Sequence, residues 1–151
     1  MSDTKDLMKL YSQRILALAA GISHTDRLEN PDATIRKRSP LCGSTVEIDV
    51  KYDGEKITQY GQDVKACALG QTSASVLGAH VVGLSQAEIT LGRDQLFAML
   101  TQEGAAPDAP FGDLEVLEPA RAYSNRHASI MLAFEATLSA IEQAKKNAAN
   151  Q

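Results

Sequence analysis

Two cysteines, Cys42 and Cys67, and three histidines, His24, His80 and His127, are the residues of this 151-residue chain best suited to sulfur or metal chemistry. A thiolate is a nucleophile and a soft metal ligand, and a neutral imidazole is a nitrogen ligand. Cys42-Gly43 stands just before an alternating stretch, and Cys67 opens a run of Ala, Gly, Ser and Thr. Arg126-His127-Ala128-Ser129 opens a long apolar-striped segment. No two histidines have the i,i+4 spacing of an H-E-x-x-H hydrolase, and no P-loop, Rossmann glycine fingerprint or G-x-S-x-G elbow occurs. A cysteine taken alone is most often a small buried hydrophobe, so position decides what these two can do.

The positions follow from the patterning. Thr45 to Lys51 alternates strictly, with Val46, Ile48, Val50 and then Tyr52 on one side, which predicts a half-buried strand. Asp53-Gly54 predicts a type I′ hairpin turn returning through Ile57 to about Val64, and Ala33 to Ser39 is a third strand candidate. Cys42 and Cys67 then stand at the same end of the hairpin, 25 residues apart in sequence. Cys67 leads into a helix expected to end at Gly78, where unpaired N–H groups and the positive end of the dipole favour a thiolate.

Around this hairpin the pattern is helical. Asp3 to Ala20 carries Leu7, Tyr11, Ile15 and Leu18 at helical spacing and stops at Gly21, so an amphipathic N-terminal helix over 1–20 is favoured over a leader peptide. A polar connector covers Ser23 to Asp32. Ser85 and Glu88 have the form of a capping box for a helix that breaks at Gly92 and resumes through Leu96, Met99 and Leu100. Gly104 to Pro110 reads as a loop, and Gly112 to Leu117 as a short helical piece before Pro119. The last helix is capped near Ser124 or Asn125, packs Met131, Phe134, Leu138 and Ile141, and frays after Lys145, leaving 146–151 as a tail. The fold class is α+β: a small antiparallel sheet of about three strands packed against helices, with a long C-terminal helix, in one domain over 1–151.

Composition bounds the function. The chain is 44% hydrophobic and 23% charged with a net charge of -4, which is the balance of a globular domain. Only 5% aromatic residues and no tryptophan disfavour a base-stacking platform, and the mild acidity disfavours binding a phosphate backbone. Nucleic acid is therefore not an expected partner. Nothing approaches the ~20 apolar residues of a membrane span, so no membrane partner is expected either. Two cysteines are too few for a secreted disulfide framework, which points to a reducing cytoplasm.

In order and spacing these motifs resemble the NifU/IscU-type scaffold proteins of iron-sulfur cluster assembly. The matching stretches are Leu28-Glu29-Asn30-Pro31, Ser39-Pro40-Leu41-Cys42-Gly43 and Asp53-Gly54-Glu55-Lys56-Ile57-Thr58. They continue with Ala66-Cys67-Ala68, Ser73-Ala74-Ser75 and Arg126-His127-Ala128-Ser129, so the resemblance spans about Tyr11 to Ile141. In that family three cysteines hold the metal or cluster, with an aspartate two residues after the first and, in one branch, a histidine just before the third. Carried over, the first cysteine is Cys42, the aspartate position is Ser44, the second cysteine is Cys67 and the third is Ser129. Two ligands are thus hydroxyls, which bind iron and zinc poorly at neutral pH because the alkoxide is hard to form.

The histidine position is Ala128, beside His127, and Asp63 stands four residues before Cys67, so His127 and Asp63 are the candidate substitutes. The resemblance implies a scaffold or carrier of iron or a [2Fe-2S] cluster, not an enzyme, held by Cys42 and Cys67 and completed by His127, Asp63 or a second subunit of a homodimer. The implied partners are a cysteine desulfurase and Fe-S recipient proteins. A family segment that recruits a chaperone is represented only by Leu117-Glu118-Pro119-Ala120-Arg121. Two other readings stand beside this one: a zinc-binding persulfide acceptor for a cysteine desulfurase, and an interaction or regulatory module that keeps the fold without metal.

Overall fold

The computed structural model describes residues 11–41 and 43–150. Its elements in chain order are α1 (Gln13–Ala20), β1 (Ala33–Arg38), β2 (Thr45–Tyr52), β3 (Ile57–Lys65), α2 (Ala68–His80), α3 (Gln86–Thr101) and α4 (His127–Ala149). A 3-10 run over Gly112–Ala122 and a 3-10 turn over Ser124–Arg126 lead into α4. The strands form one antiparallel sheet in the order β1-β2-β3. This is the expected α+β architecture with a long last helix.

One face of the sheet is set by the alternation in β2. Val46, Ile48 and Val50 are buried, with Ala33 and Ile35 in register on β1 and Tyr60 on β3. Helix α4 lies across this face, and the Tyr60 hydroxyl meets Thr137 Oγ1 at 2.7 Å. Helix α4 buries Ile130, Met131, Phe134, Ala136 and Ile141 among others, so the sheet, α2 and α3 all pack around it. Burying an aliphatic or aromatic side chain contributes about 1.5–3 kcal/mol, and this core is one continuous cluster.

The opposite face was expected to be solvated, and at Asp49 it is not. The connector folds over it: Arg27 donates to Asp49 from Nε at 2.7 Å and from Nη2 at 3.0 Å, and the Leu28 N–H donates at 3.1 Å. Thr34 supplies a further hydroxyl. Gly61 sits beneath this strap, where a Cβ would meet the Asp26 carbonyl at 2.6 Å. Burial by itself would raise the Asp49 pKa, but the donors from Arg27, Thr34 and Leu28 outweigh it and hold the carboxyl below its ordinary value.

Several boundaries differ from the sequence expectation for identifiable reasons. Residues 1–10 of the expected N-terminal helix lie outside the described residues. Within them the helix begins at Gln13, because the Ser12 hydroxyl accepts the Ile15 N–H at 3.2 Å. The hairpin turn is a longer loop than type I′. Asp53 Oδ1 accepts the N–H groups of Glu55 and Lys56 at 2.9 and 2.8 Å, with positive φ at Gly54 alone of the loop. Helix α2 runs through Gly78 to His80, and α3 runs unbroken through Gly92.

Both of these glycines serve close approach rather than termination. A Cβ at Gly78 would press on Gln62 Nε2 at 2.5 Å, and one at Gly92 would overlap the Phe111 ring. The capping box of Ser85 and Glu88 forms as expected. Helix α4 starts at His127 without a side-chain cap and continues past Lys145 to Ala149, where Asn147 donates to the Asp32 carbonyl at 2.9 Å. No helix among the described residues is long and apolar enough to cross a membrane.

The strap over Asp49 gives a pH-dependent contribution to stability. Because the folded pKa lies below the unfolded one, the contribution is present above the unfolded value near 4 and is lost as pH falls through the folded value. Asp49→Ala is expected to lower unfolding free energy at pH 7 by about 1.5–3 kcal/mol, the range for hydrogen bonds to a charged group. The gap from wild type should narrow on acidification below about pH 4, as read by urea denaturation at the two pH values.

Candidate metal and sulfur site

Three elements end at one point. Ser44 closes the loop before β2, Cys67 occupies the N-cap position of α2, and Ser129 lies in the first turn of α4. Ser44 Oγ and Ser129 Oγ share a hydrogen bond of 3.0 Å, and Cys67 Sγ lies 3.6 Å from Ser129 Oγ. Both serines are buried and Cys67 is half-buried. The three residues are 85 and 62 positions apart in the chain, so tertiary packing alone unites them.

Local structure explains the arrival of each. The Ser39 N–H donates to the Ser44 carbonyl at 2.8 Å and the Gly43 N–H to the Ser39 carbonyl at 2.9 Å, with Gly43 at φ 71°. That left-handed conformation suits glycine and folds the loop tightly enough to return Ser44 inward. The Cys67 carbonyl accepts the Gln71 N–H at 2.9 Å, which fixes Cys67 at the mouth of α2. Gly70, one turn on, faces Ser129, where a Cβ would stand 2.7 Å from Ser129 Oγ and 3.1 Å from its carbonyl oxygen. The helices therefore approach closely here because Gly70 has no side chain.

Cys42 lies outside the described residues. Its neighbour Gly43 lines a shallow pocket with Ser44, Lys65, Ala66, Cys67 and Arg126. Lys65 and Arg126 have no ion pair among the described residues. Two basic side chains thus border the pocket that Cys67 lines, and its sulfur is the soft donor there.

The structure does not bring Asp63 or His127 to Cys67. Asp63 pairs in register with Glu47 on the Arg27 side of the sheet, the face away from α4. His127 stands two residues before Ser129, about 200° around a helix at 3.6 residues per turn, and its Nε2 lies 2.9 Å from the Ala120 carbonyl. No group of three His, Cys, Asp or Glu side chains able to hold a metal occurs among the described residues. The small-residue run after Cys67 reads in sequence as a helix that allows close backbone approach, and Gly70 is where that approach to Ser129 is made.

No model of a known protein family matches the chain. The chain is similar to the N-terminal part of a nitrogen-fixing NifU-like protein from Brucella abortus, at 38% identity and a TM-score of 0.90, over 93% of this chain and 98% of that one. It shares its fold with a putative iron-sulfur cluster assembly scaffold protein for the SUF system from Fervidobacterium islandicum AW-1, at 19% identity and a TM-score of 0.79, over 88% and 97% of the two chains. It is also 24% identical over 120 residues to the iron-sulfur cluster assembly scaffold protein IscU of Streptococcus pyogenes serotype M1, covering 80% of this chain and 75% of that protein.

The close approach at Gly70 can be tested. A helical Gly→Ala change ordinarily gains about 1 kcal/mol of propensity, whereas overpacking costs about 1–3 kcal/mol. The Ser129 carbonyl oxygen at 3.1 Å is backbone and cannot rotate away, so the overlap wins. Gly70→Ala should lower thermal stability, and Gly70→Ala combined with Ser129→Ala should recover part of the loss because the nearer oxygen is gone. A melting curve for each variant, read by circular dichroism, checks the order.

Proposed function

The chain belongs to the NifU/IscU-type family of iron-sulfur cluster assembly scaffold proteins, and from that premise we infer that it carries iron or a [2Fe-2S] cluster on a reduced ligand set of Cys67 and Cys42. The supporting observation is the convergence of Ser44, Cys67 and Ser129 at the positions where the family resemblance puts ligands. The cluster is cargo, received and handed on, and the protein itself is not an enzyme.

The donor set sets the terms of binding. A [2Fe-2S] cluster asks for four thiolates, and one chain supplies two cysteines. Two protomers facing one another across their Cys67 pockets would meet the demand, while the neutral serines contribute only weak donors. Asp63 and His127 of the same protomer are set aside on their placement, one across the sheet and the other held at the Ala120 carbonyl.

A second reading is favoured by Lys65 and Arg126 beside Cys67. The Cys67 thiolate attacks the outer sulfur of a cysteine desulfurase persulfide. A new S–S bond forms on Cys67, the old one breaks, and the desulfurase thiolate leaves. The two readings are compatible, since sulfur must arrive before a cluster can be built.

Anaerobic reconstitution with iron and sulfide, followed by iron and acid-labile sulfide counts and the visible spectrum, tests the first. Wild type is expected to hold about half or one cluster per protomer, and Cys67→Ser none. Ser129→Cys, which adds a thiolate beside Cys67, should raise occupancy. A folded wild-type protein that stays colourless and metal-free would overturn the reading.

A further inference from the structure

The charges on the sheet face away from α4 fall into rows set by strand register. Arg36, Glu47 and Asp63 share one row, and Arg27 reaches Glu47 at 3.3 Å. The last row, at the end of the sheet nearest Cys67, is Arg38, Thr45 and Lys65, and it holds no carboxylate. Lys65 lines the Cys67 pocket together with Gly43 and Arg126. The Arg38 guanidinium lies against the same Gly43, 3.9 Å from where a Cβ would stand.

Arg38, Lys65 and Arg126 make no ion pair among the described residues, whereas Arg14, Arg27 and Arg93 each do. On β2 and β3 the carboxylates nearest the last row are Glu47 and Asp63, one row back. A carboxylate within the row would serve the sheet better, since opposite charges across strands stabilise it. The chain as a whole carries a net charge of -4, so this local excess of cations is not a general basicity. It borders the one described thiol, and it suits an anionic reactant there.

We propose that Arg38, Lys65 and Arg126 select the sulfur donor, so that Cys67 accepts sulfur from a persulfide carrying carboxylates beside its reacting sulfur. The proposal deepens the sulfur-acceptor reading above and rests on it. In the step, the Cys67 thiolate attacks the donor's outer sulfur and a new S–S bond forms. The donor's own S–S bond breaks, and its electron pair leaves on the inner sulfur as a thiolate, with no net oxidation. The two guanidinium groups can each take a carboxylate through paired N–H donors, and Lys65 acts as a point charge. Flanking carboxylates on these cations raise the encounter rate and fix the donor's orientation, while a basic donor is turned away. The three side chains determine specificity and do not touch the reacting sulfur.

The test is the charge preference of Cys67 in thiol–disulfide exchange, measured on the full chain with Cys42→Ser so that Cys67 is the only thiol. The probes are dithiodipropionate, hydroxyethyl disulfide and cystamine, which are anionic, neutral and cationic, and adduct formation is followed by intact mass. Each rate is divided by that of the same probe with N-acetylcysteinamide, which removes leaving-group differences. Comparing probes on one protein cancels the thiolate fraction and exposure of Cys67. The anionic probe is expected to be favoured over the cationic one about tenfold at low salt, with the preference vanishing near about 1 M salt. Lys65→Gln with Arg126→Gln should cut the preference about threefold or more, and Lys65→Arg with Arg126→Lys should keep it. Circular dichroism verifies folding, and should the double variant unfold, Arg38→Gln and Lys65→Gln singly are expected to lower the preference in smaller steps. Mixed disulfides of a cysteine peptide flanked by glutamates or by lysines form a second arm. A stronger preference there than among the small probes assigns a protein donor, and a weaker one a small-molecule donor. Equal normalised rates for all charges, or a preference that the variants leave unchanged, overturns the proposal and leaves the sulfur-acceptor reading standing. A Cys67 that reacts with none of the probes removes both.

Discussion

Helix α4 must be covered on most of its circumference, and the other elements are arranged to do so. Its buried residues include Ile130, Leu132, Phe134, Ala136, Thr137 and Ile141, which cannot share one narrow stripe of a helix. The sheet takes one side, α2 and α3 take others, and Phe111 reaches in to meet Phe134 at 5.3 Å. Once α4 is enclosed this way, its first turn is pinned between the end of the sheet and the start of α2. Ser129, Ser44 and Cys67 meet because the core leaves them no other place.

Enclosure on that scale requires small residues at the closest contacts, and here sequence and structure part company. A glycine inside a helical pattern reads locally as a stop or a break, at Gly78 as at Gly92. In the structure they are where Gln62 and Phe111 enter. The strands were legible because period 2 is a local property, and so was the Ser85 and Glu88 capping box. Asp49 was not legible: an acid on the polar side of an alternating strand gives no sign that Arg27, 22 residues earlier, will bury it. The Asp53-Gly54 turn was legible as a hairpin but not in its length, because the Asp53 side chain competes with the backbone for Glu55 and Lys56.

The site was legible only in part, for a similar reason. Motif order placed Ser44, Cys67 and Ser129 in correspondence, yet the sequence says nothing of how near they come. Proximity in sequence misled for the substitutes. Asp63 is four residues from Cys67 and His127 two from Ser129, but strand register sends the first to the far face and helix phase turns the second away. What decides membership in the site is the phase of each element.

The hydroxyl pair also sets the electrostatics of the site. Several thiolates and a carboxylate gathered without metal repel one another, whereas Ser44 and Ser129 satisfy each other at 3.0 Å with no net charge. Metal entry would disrupt that bond, a loss of about 1 kcal/mol, small beside the roughly 10–16 kcal/mol of a four-ligand structural zinc site. The serine pair is therefore no barrier to binding; the handicap is the missing thiolates themselves. On the proposed reading, affinity would rise with each thiolate brought in from outside the protomer, because the chain has two cysteines and a [2Fe-2S] cluster takes four thiolates.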